Sequence, residues 1–229
     1  MKNSILAALP THDFKLMTAA LRPVELQRDA VLYEVGQRIS HVYFPMGSLV
    51  SYLSSMAEGQ TVEVCAVGNE GLVGAAWLGS GIAVFRAVVQ ISGGAYQMSI
   101  AALRKVVRRS DVLNDQLLQY TSALLFHVAQ TAMCNKFHTV QQRLSGWLLL
   151  GQVQSDSNHF TLTQDALARL LGTRRASVSV VASGLQTAGL ISYHRSVIRI
   201  LDRIGLESIA CECYSSIASA YSRAPQKPQ

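Results

Sequence analysis

A chain of 229 residues that is 49% hydrophobic can bury one large core or two modest ones, which excludes a disordered protein except in the tail from Arg223 onward. Its formal net charge of +6 is uneven: residues 1–137 carry +2 and the shorter stretch 138–229 carries +4, so the C-terminal part is the better match for a polyanion. The four cysteines (Cys65, Cys134, Cys211, Cys213) make no disulfide framework, no signal peptide is expected, and the uncharged run Gly71–Phe85 is too short and glycine-rich to span a bilayer. These features predict a reducing, cytoplasmic setting and no membrane partner. Cys211 and Cys213 stand one residue apart on an expected helix, pointing to different sides. With no second pair and no nearby histidine to complete a site, they read as structural thiols, and no metal is expected.

In chain order, residues 4–21 show helical spacing of Leu6, Leu9, Phe14, Leu16, Met17 and Leu21. From Val24 to Ser99 short β-prone runs follow: Val31–Tyr33, Val42–Phe44, Leu49–Leu53, Val62–Val67, Phe85–Ile91 and Ala95–Ser99. Glycine-rich breaks separate them, among them Gly68-Asn-Glu-Gly71 and Ser92-Gly-Gly94. Many short strands with regular turns predict a sandwich or barrel, and the alternation Leu49, Ser51, Leu53 predicts a half-buried strand. After Ser110 the pattern turns helical. Leu113, Leu117, Tyr120, Leu124, His127, Thr131 and Cys134 form a heptad-like seam, with a second apolar row through Leu118, Thr121, Leu125, Val128 and Ala132. A helix apolar on two sides needs two partners: the β-domain and the same helix of a second subunit, unless one core absorbs both faces. His127 reads as a packed histidine. A shorter helix, 138–152, leads to the polar turn Ser155-Asp-Ser-Asn158.

Residues 160–185 carry the strongest signal. Thr163 is placed to cap a helix whose apolar face is Ala166, Leu167, Leu170 and Leu171; Gly172 ends it, and Thr173 is placed to cap the next. Val178, Val181, Ala182 and Leu185 supply the buried side of that second helix. Arg174, Arg175, Ser177 and Ser179 are left near its outer side. This is the layout of a helix-turn-helix, whose second helix presents its first turn to base edges in the major groove. Arginine bridges guanine O6 and N7, and serine suits phosphates or base edges. Leu190–Tyr193 and Val197–Leu201 then read as a hairpin with His194-Arg-Ser196 at its tip. Arg195 is placed for a phosphate, or is an ordinary exposed turn charge. A recognition helix followed at once by a hairpin is a winged helix.

The order β-roll, long helix, winged helix resembles the Crp/Fnr family of bacterial transcription regulators over nearly the whole chain. The specific pieces are Val31-Leu-Tyr-Glu-Val-Gly36, His41-Val-Tyr-Phe44, Gly68-Asn-Glu-Gly71, Gln142-Arg-Leu144, the stretch Leu162–Gly172, Arg175-Ala-Ser-Val-Ser179 and Gly189-Leu-Ile191. The resemblance implies an α+β architecture: a β-roll (jelly roll) sensor domain like those that bind cyclic nucleotides (residues 1–110), a dimerisation helix (111–137) and a winged-helix DNA-binding domain (138–229). It implies that Leu113, Leu117, Tyr120, Leu124, His127 and Thr131 lie on the dimer helix. The homodimer would read a near-palindromic operator on double-stranded DNA, with RNA polymerase as a further partner. Arg175 matches the family's base-reading arginine, but Ala176 stands where the family commonly has glutamate, so the half-site is expected to differ. In the sensor, Glu70 matches the glutamate that bonds ribose, with Gly68 beside it. Phe85 falls where the phosphate-binding arginine belongs, and Arg86 points to the opposite face of the strand. These residues mark the candidate effector pocket and argue against a cyclic nucleotide. The N-terminal cysteines of iron–sulfur members are absent, and no haem-ligand arrangement stands out, His41 and His127 being the histidines to consider. No cofactor is predicted.

The leading expectation is a homodimeric DNA-binding transcription regulator, possible effector unknown. The competing one is a sensor dimer whose winged helix contacts protein instead of DNA, which the grouping of Arg174, Arg175 and Arg195 disfavours. An enzyme is not expected, because no nucleophile–base pair, metal motif or phosphate-binding glycine loop is present.

Overall fold

A computed structural model of the protein describes residues 3–222, and the tail from Arg223 lies outside them. Helices α1 (Ser4–Ala7) and α2 (Thr11–Thr18) open the chain. Pro10 separates them, since a proline starts a helix far better than it continues one. Seven strands follow: β1 (Arg22–Leu26), β2 (Val31–Tyr33), β3 (His41–Met46), β4 (Leu49–Ser55), β5 (Thr61–Val67), β6 (Arg86–Ile91) and β7 (Gly93–Ser99). They form two antiparallel sheets, ordered β1-β7-β3 and β2-β6-β4-β5, with a 3-10 turn at Ala75–Leu78 between β5 and β6. Strand β1 has no counterpart in the runs picked out by sequence. It contains Pro23 and pairs only with β7, and an edge strand tolerates proline because one side of it needs no donor.

Helices α3 (Ile100–Val107) and α4 (Asp111–Phe137) are capped by Ser99 and Ser110, whose hydroxyls accept from Ala102 N and Leu113 N. Helix α5 (Val140–Ser155) begins with a capping box between Thr139 and Gln142. Beyond it come β8 (His159–Thr161), α6 (Gln164–Leu170), α7 (Arg175–Thr187), β9 (Ile191–His194), β10 (Val197–Ile200), α8 (Arg203–Ile209) and α9 (Cys213–Ser222). The wing has three strands, ordered β8-β10-β9, where the sequence indicated two.

Two apolar clusters organise the chain. One fills the roll and takes in α1, the N-terminal half of α4 and Met17 of α2. The other joins Leu49, Leu53, Ala66 and Val88 of the β-roll to Leu144, Trp147, Leu148, Phe160 and the helix-turn-helix. The expectation of a half-buried strand at Leu49–Leu53 is therefore corrected: all five residues are buried. Val50 and Tyr52 face the roll interior, while Leu49 and Leu53 face the C-terminal helices. The alternation was real, but both faces of this sheet are covered.

The seam on α4 faces inward. Leu113, Leu117, Tyr120 and His127 are buried within the chain's own fold, and Leu124 packs against the roll cluster. Each leucine so placed adds roughly 1.5–3 kcal/mol to the fold, which is why the seam turns inward. Thr131 is half-buried. The large apolar side chains left on the surface of α4 are Val112, Leu118, Leu125 (71% exposed), Phe126, Met133 and Phe137 (74% exposed). The other wall against α4 is α9, where the Tyr221 hydroxyl lies 3.1 Å from His127 Nδ1. His127 is a packed histidine, and burial pushes its pKa down to about 4.

Candidate nucleic-acid interface

The helix-turn-helix has the geometry its residues call for. Thr163 Oγ1 accepts from Ala166 N at 3.1 Å and starts α6. Gly172 adopts φ +56°, a left-handed conformation that costs glycine nothing, and turns the chain into α7. Val178, Ala182 and Leu185 anchor α7 in the C-terminal cluster. Thr173 does not cap α7, because the helix begins one residue later than its hydroxyl needs. Arg174 holds the N-cap position without a side-chain bond, and Thr173 N instead donates to Ala168 O.

Arg174 and Arg175 are exposed, and Ser177 and Ser179 are half-exposed at the start of α7. Ala176, Val180 and Ser183 share the outer face, with Val180 74% exposed. Sequence reading singled out Ala176 but passed over Val180 and Ser183, although their i, i+4, i+7 spacing with Ala176 marks one helix stripe. The wing tip is a two-residue turn in which Arg195 (φ +46°) and Ser196 (φ +68°) both take left-handed conformations, as a tight hairpin turn requires. Arg175, Arg195 and Thr163 line one open cleft, together with Asp165 and Tyr193. The Arg175 guanidinium lies 3.6 Å from the Asp165 carboxylate, with both side chains more than half exposed. The fold therefore gathers Thr163, Arg175 and Arg195 beside the start of α7.

The four candidate effector residues do not converge. Gly68 and Glu70 form a joint between the roll and α5. Asn69 N donates to Gln154 O at 2.7 Å, and Glu70 Oε1 accepts from Gly68 N at 3.0 Å and Gln154 Nε2 at 2.9 Å. A Cβ at Gly68 would collide with the Gln154 backbone, and one at Gly71 would meet the Tyr120 ring at 2.5 Å. These glycines admit protein, where a phosphate cradle would have left open space. Glu70 is half-buried, its Oε2 is enclosed without a hydrogen-bond partner, and desolvation pushes its pKa up to about 7. Arg86 is exposed on the far side of its strand and pairs with Glu34 at 3.1 Å. Phe85 alone lines the roll's cavity, about 380 Å³, between the 3-10 turn and α4. Tyr52, Ala83, Leu124 and Val128 are among the other walls. No charged side chain lines it among the described residues.

A second joint crosses the same interface. Glu63 on β5 accepts from Trp147 Nε1 of α5 at 2.9 Å and from the Ser51 hydroxyl. Burial pushes Glu63 up to about 7, partly offset by those two bonds.

The reading that no histidine or further cysteine stands beside Cys211 and Cys213 is corrected. Cys134, His138, Cys211 and Cys213 place their donor atoms within 4.8 Å of one another. Cys211 and Cys213 do not share a helix, since the backbone at Ala210 is extended and α9 starts only at Cys213, so both thiols turn to one side. The available signal was the i, i+4 pair Cys134 and His138 at the end of α4.

Residues 142–209 match the family model of the Crp-like helix-turn-helix domain. The whole fold is similar to that of FixK2 from Bradyrhizobium japonicum, at 17% identity over 83% of this chain and 98% of that one, with a TM-score of 0.70. The c-di-GMP-responsive global regulator CLP of Xanthomonas campestris aligns at 15% identity over 83% and 99%, with a TM-score of 0.63. A variant of CooA from Carboxydothermus hydrogenoformans aligns at 13% over 92% and 96%, with a TM-score of 0.62. A search of curated protein sequences finds no match. No helix among the described residues is long and apolar enough to cross a membrane. Residues 142–209 are thus a Crp-like helix-turn-helix domain, and the chain as a whole has the fold of these structures.

Proposed function

We propose that the protein acts as a homodimer that reads a near-palindromic operator, with α7 in the major groove and the wing tip on the phosphate backbone. The carrying observation is that Arg174 and Arg175 stand exposed at the open start of α7, while Arg175, Thr163 and Arg195 line the same cleft. Arg175 reads guanine, Ser177 and Ser179 bond phosphates or base edges, and Arg174 and Arg195 hold phosphates. The exposed Val180 suits a thymine methyl group. Asp165 keeps Arg175 extended beside the groove until a base replaces it.

The division of labour follows the expected segments: sensor to residue 110, dimer helix 111–137, DNA-binding domain from 138. The dimer contact uses the surface row Leu118, Leu125, Phe126, Met133 and Phe137 of α4, because the inner seam is buried. The effector, where one acts, is a neutral apolar molecule in the cavity between roll and α4; that cavity carries no cation for a cyclic phosphate. The protein works in the cytoplasm, without enzymatic activity, and contacts RNA polymerase from the operator.

Selection of bound sequences from a random DNA pool tests this reading. The expected result is a two-fold symmetric site with half-sites about one helical turn, roughly 34 Å, apart. Recovery of no consensus, together with no loss of affinity as salt rises, would overturn it in favour of a winged helix that binds protein.

A further inference from the structure

We propose that Cys134, His138, Cys211 and Cys213 bind one divalent thiophilic metal ion, with zinc as the fitting ion, and that the ion clasps the end of α4 to the C-terminal helices.

The distances have the scale of a tetrahedral site. Cys134 Sγ lies 3.5 Å from Cys211 Sγ, and Cys213 Sγ lies 3.4 Å from His138 Nδ1. With Zn–S about 2.3 Å and Zn–N about 2.0–2.1 Å, tetrahedral edges are about 3.8 Å for S···S and about 3.6 Å for S···N. The observed separations lie within a few tenths of an ångström of those edges. All four donors fit inside 4.8 Å, which suits a single ion; an iron–sulfur cluster spreads its thiolates over several iron atoms.

The surroundings supply what a metal site needs. His138 turns Nδ1 toward the thiols, and its other nitrogen, Nε2, meets the Glu212 carboxylate at 3.4 Å. A carboxylate on the outer nitrogen fixes the tautomer and strengthens the inner nitrogen as a ligand. Gln130 Nε2 donates to Cys213 Sγ at 3.2 Å, as amides do to metal-bound thiolates. Cys211 and Cys213 are buried, and Arg143 lines the same small cavity, bringing a positive charge to a complex whose three thiolates outweigh the ion. The reaction is balanced without a redox partner. Three thiols release three protons, the imidazole binds in its neutral form, and the ion takes four bonds.

The location gives the ion a consequence. Cys134 is in the last turn of α4 and His138 is its C-cap, the point where the chain bends into α5. Cys211 lies between α8 and α9 and Cys213 opens α9, beyond the wing. One ion therefore fixes the direction in which the helix-turn-helix leaves α4. This second step, metal-dependent operator binding, rests on the function proposed above, whereas metal binding itself does not.

The test uses the full chain, purified anaerobically and loaded with zinc or cobalt(II). The expected result is one ion per chain and, with cobalt, the visible bands of a tetrahedral thiolate complex. Cys134→Ser and Cys211→Ser should lose the ion while keeping the far-ultraviolet dichroism of a folded chain. His138→Cys should keep it and strengthen the thiolate-to-cobalt charge-transfer band, a change that no bystander histidine would produce. Glu212→Gln should weaken affinity about 10- to 100-fold without changing stoichiometry at saturation. Full-length protein that holds no ion, or a Cys134–Cys211 disulfide formed in the presence of excess zinc, would overturn the site. Retained zinc with operator affinity unchanged by chelation would overturn the clasp's role in DNA binding. Absence of DNA binding by zinc-loaded protein would count against the proposed function and leave the stoichiometry standing.

Discussion

Trp147 Nε1 donates to Glu63 Oε1 at 2.9 Å, and this bond crosses from α5 to the β-roll. Glu63 is buried and Glu70 half-buried at this junction, and desolvation pushes both up to about 7. A carboxyl group whose folded pKa is raised gives stability that is full below its unfolded value, near 4.5, and is lost as pH rises through 7. His127, pushed down to about 4, works oppositely: its contribution is full above about 6.5 and is lost as pH falls toward 4. Between pH 4.5 and 7 the two carboxyl groups outweigh the single histidine, so the melting temperature should fall across that range and level off above it. One pKa unit is worth about 1.4 kcal/mol, so the combined effect is several kcal/mol. Glu63→Gln with Glu70→Gln should flatten the profile. A wild-type melting temperature that is flat or rising from pH 4.5 to 7 would contradict this.

Trp147→Phe keeps most of the packing against Phe160 but removes the donor to Glu63. A buried acceptor left with one partner fewer costs about 1–3 kcal/mol. The expected outcome, read by urea unfolding at pH 8, is a loss of that size that shrinks at pH 6, where Glu63 is largely protonated.

Arg175→Ala should reduce discrimination among bases at one half-site position by about 1–3 kcal/mol, which is about 5- to 150-fold in affinity. Arg195→Ala should weaken all sequences alike and lower the slope of log affinity against log salt by about 1. Fluorescence anisotropy on the selected operator and on single-base variants separates the two. An Arg175→Ala protein with intact base preference would move the reading role to another residue of α7.

The helix-turn-helix was legible in the sequence because its determinants are local: Thr163 as a cap, Gly172 as a turn, apolar residues at helical spacing. The roll's strands were legible for the same reason. What escaped depends on contacts distant in the chain. Leu49 and Leu53 alternate like a surface strand, and only the arrival of α5 and the wing buries their outer face. The seam at Leu113, Leu117 and Tyr120 satisfies heptad spacing, but spacing does not say which partner fills it. Arg86 was rightly placed on the opposite strand face from Phe85, whereas the use of Gly68 and Glu70 as an interdomain joint required seeing Gln154 beside them. Cys134 and His138 form a short-range signal, but their partners lie more than seventy residues on.

The outer row of α4 yields a contrast between two leucines. Leu125 is 71% exposed, whereas Leu117 is fully buried. Leu125→Glu should leave the fold's stability nearly unchanged and give monomers by sedimentation, with operator affinity falling accordingly. Leu117→Ala should cost about 2–5 kcal/mol of stability and leave the dimer assembled. A dimeric Leu125→Glu protein would place the contact elsewhere.

The cavity beside α4 predicts which small molecules matter. A cyclic nucleotide brings a negative phosphate, and Arg86, the nearest basic residue in the strand, faces outward to Glu34. Millimolar cyclic AMP should therefore leave the melting temperature unchanged. A neutral naphthylamine dye should enter the space of about 380 Å³ and fluoresce. Bound at a hundredfold excess over its dissociation constant, it should stabilise the fold by about 2.7 kcal/mol. Ala83→Leu puts three more carbon atoms into that space and should abolish the fluorescence while leaving DNA binding intact. Dye fluorescence that survives Ala83→Leu, or a rise in melting temperature with cyclic AMP, would show that the ligand enters by another route and that the roll still answers to a phosphate.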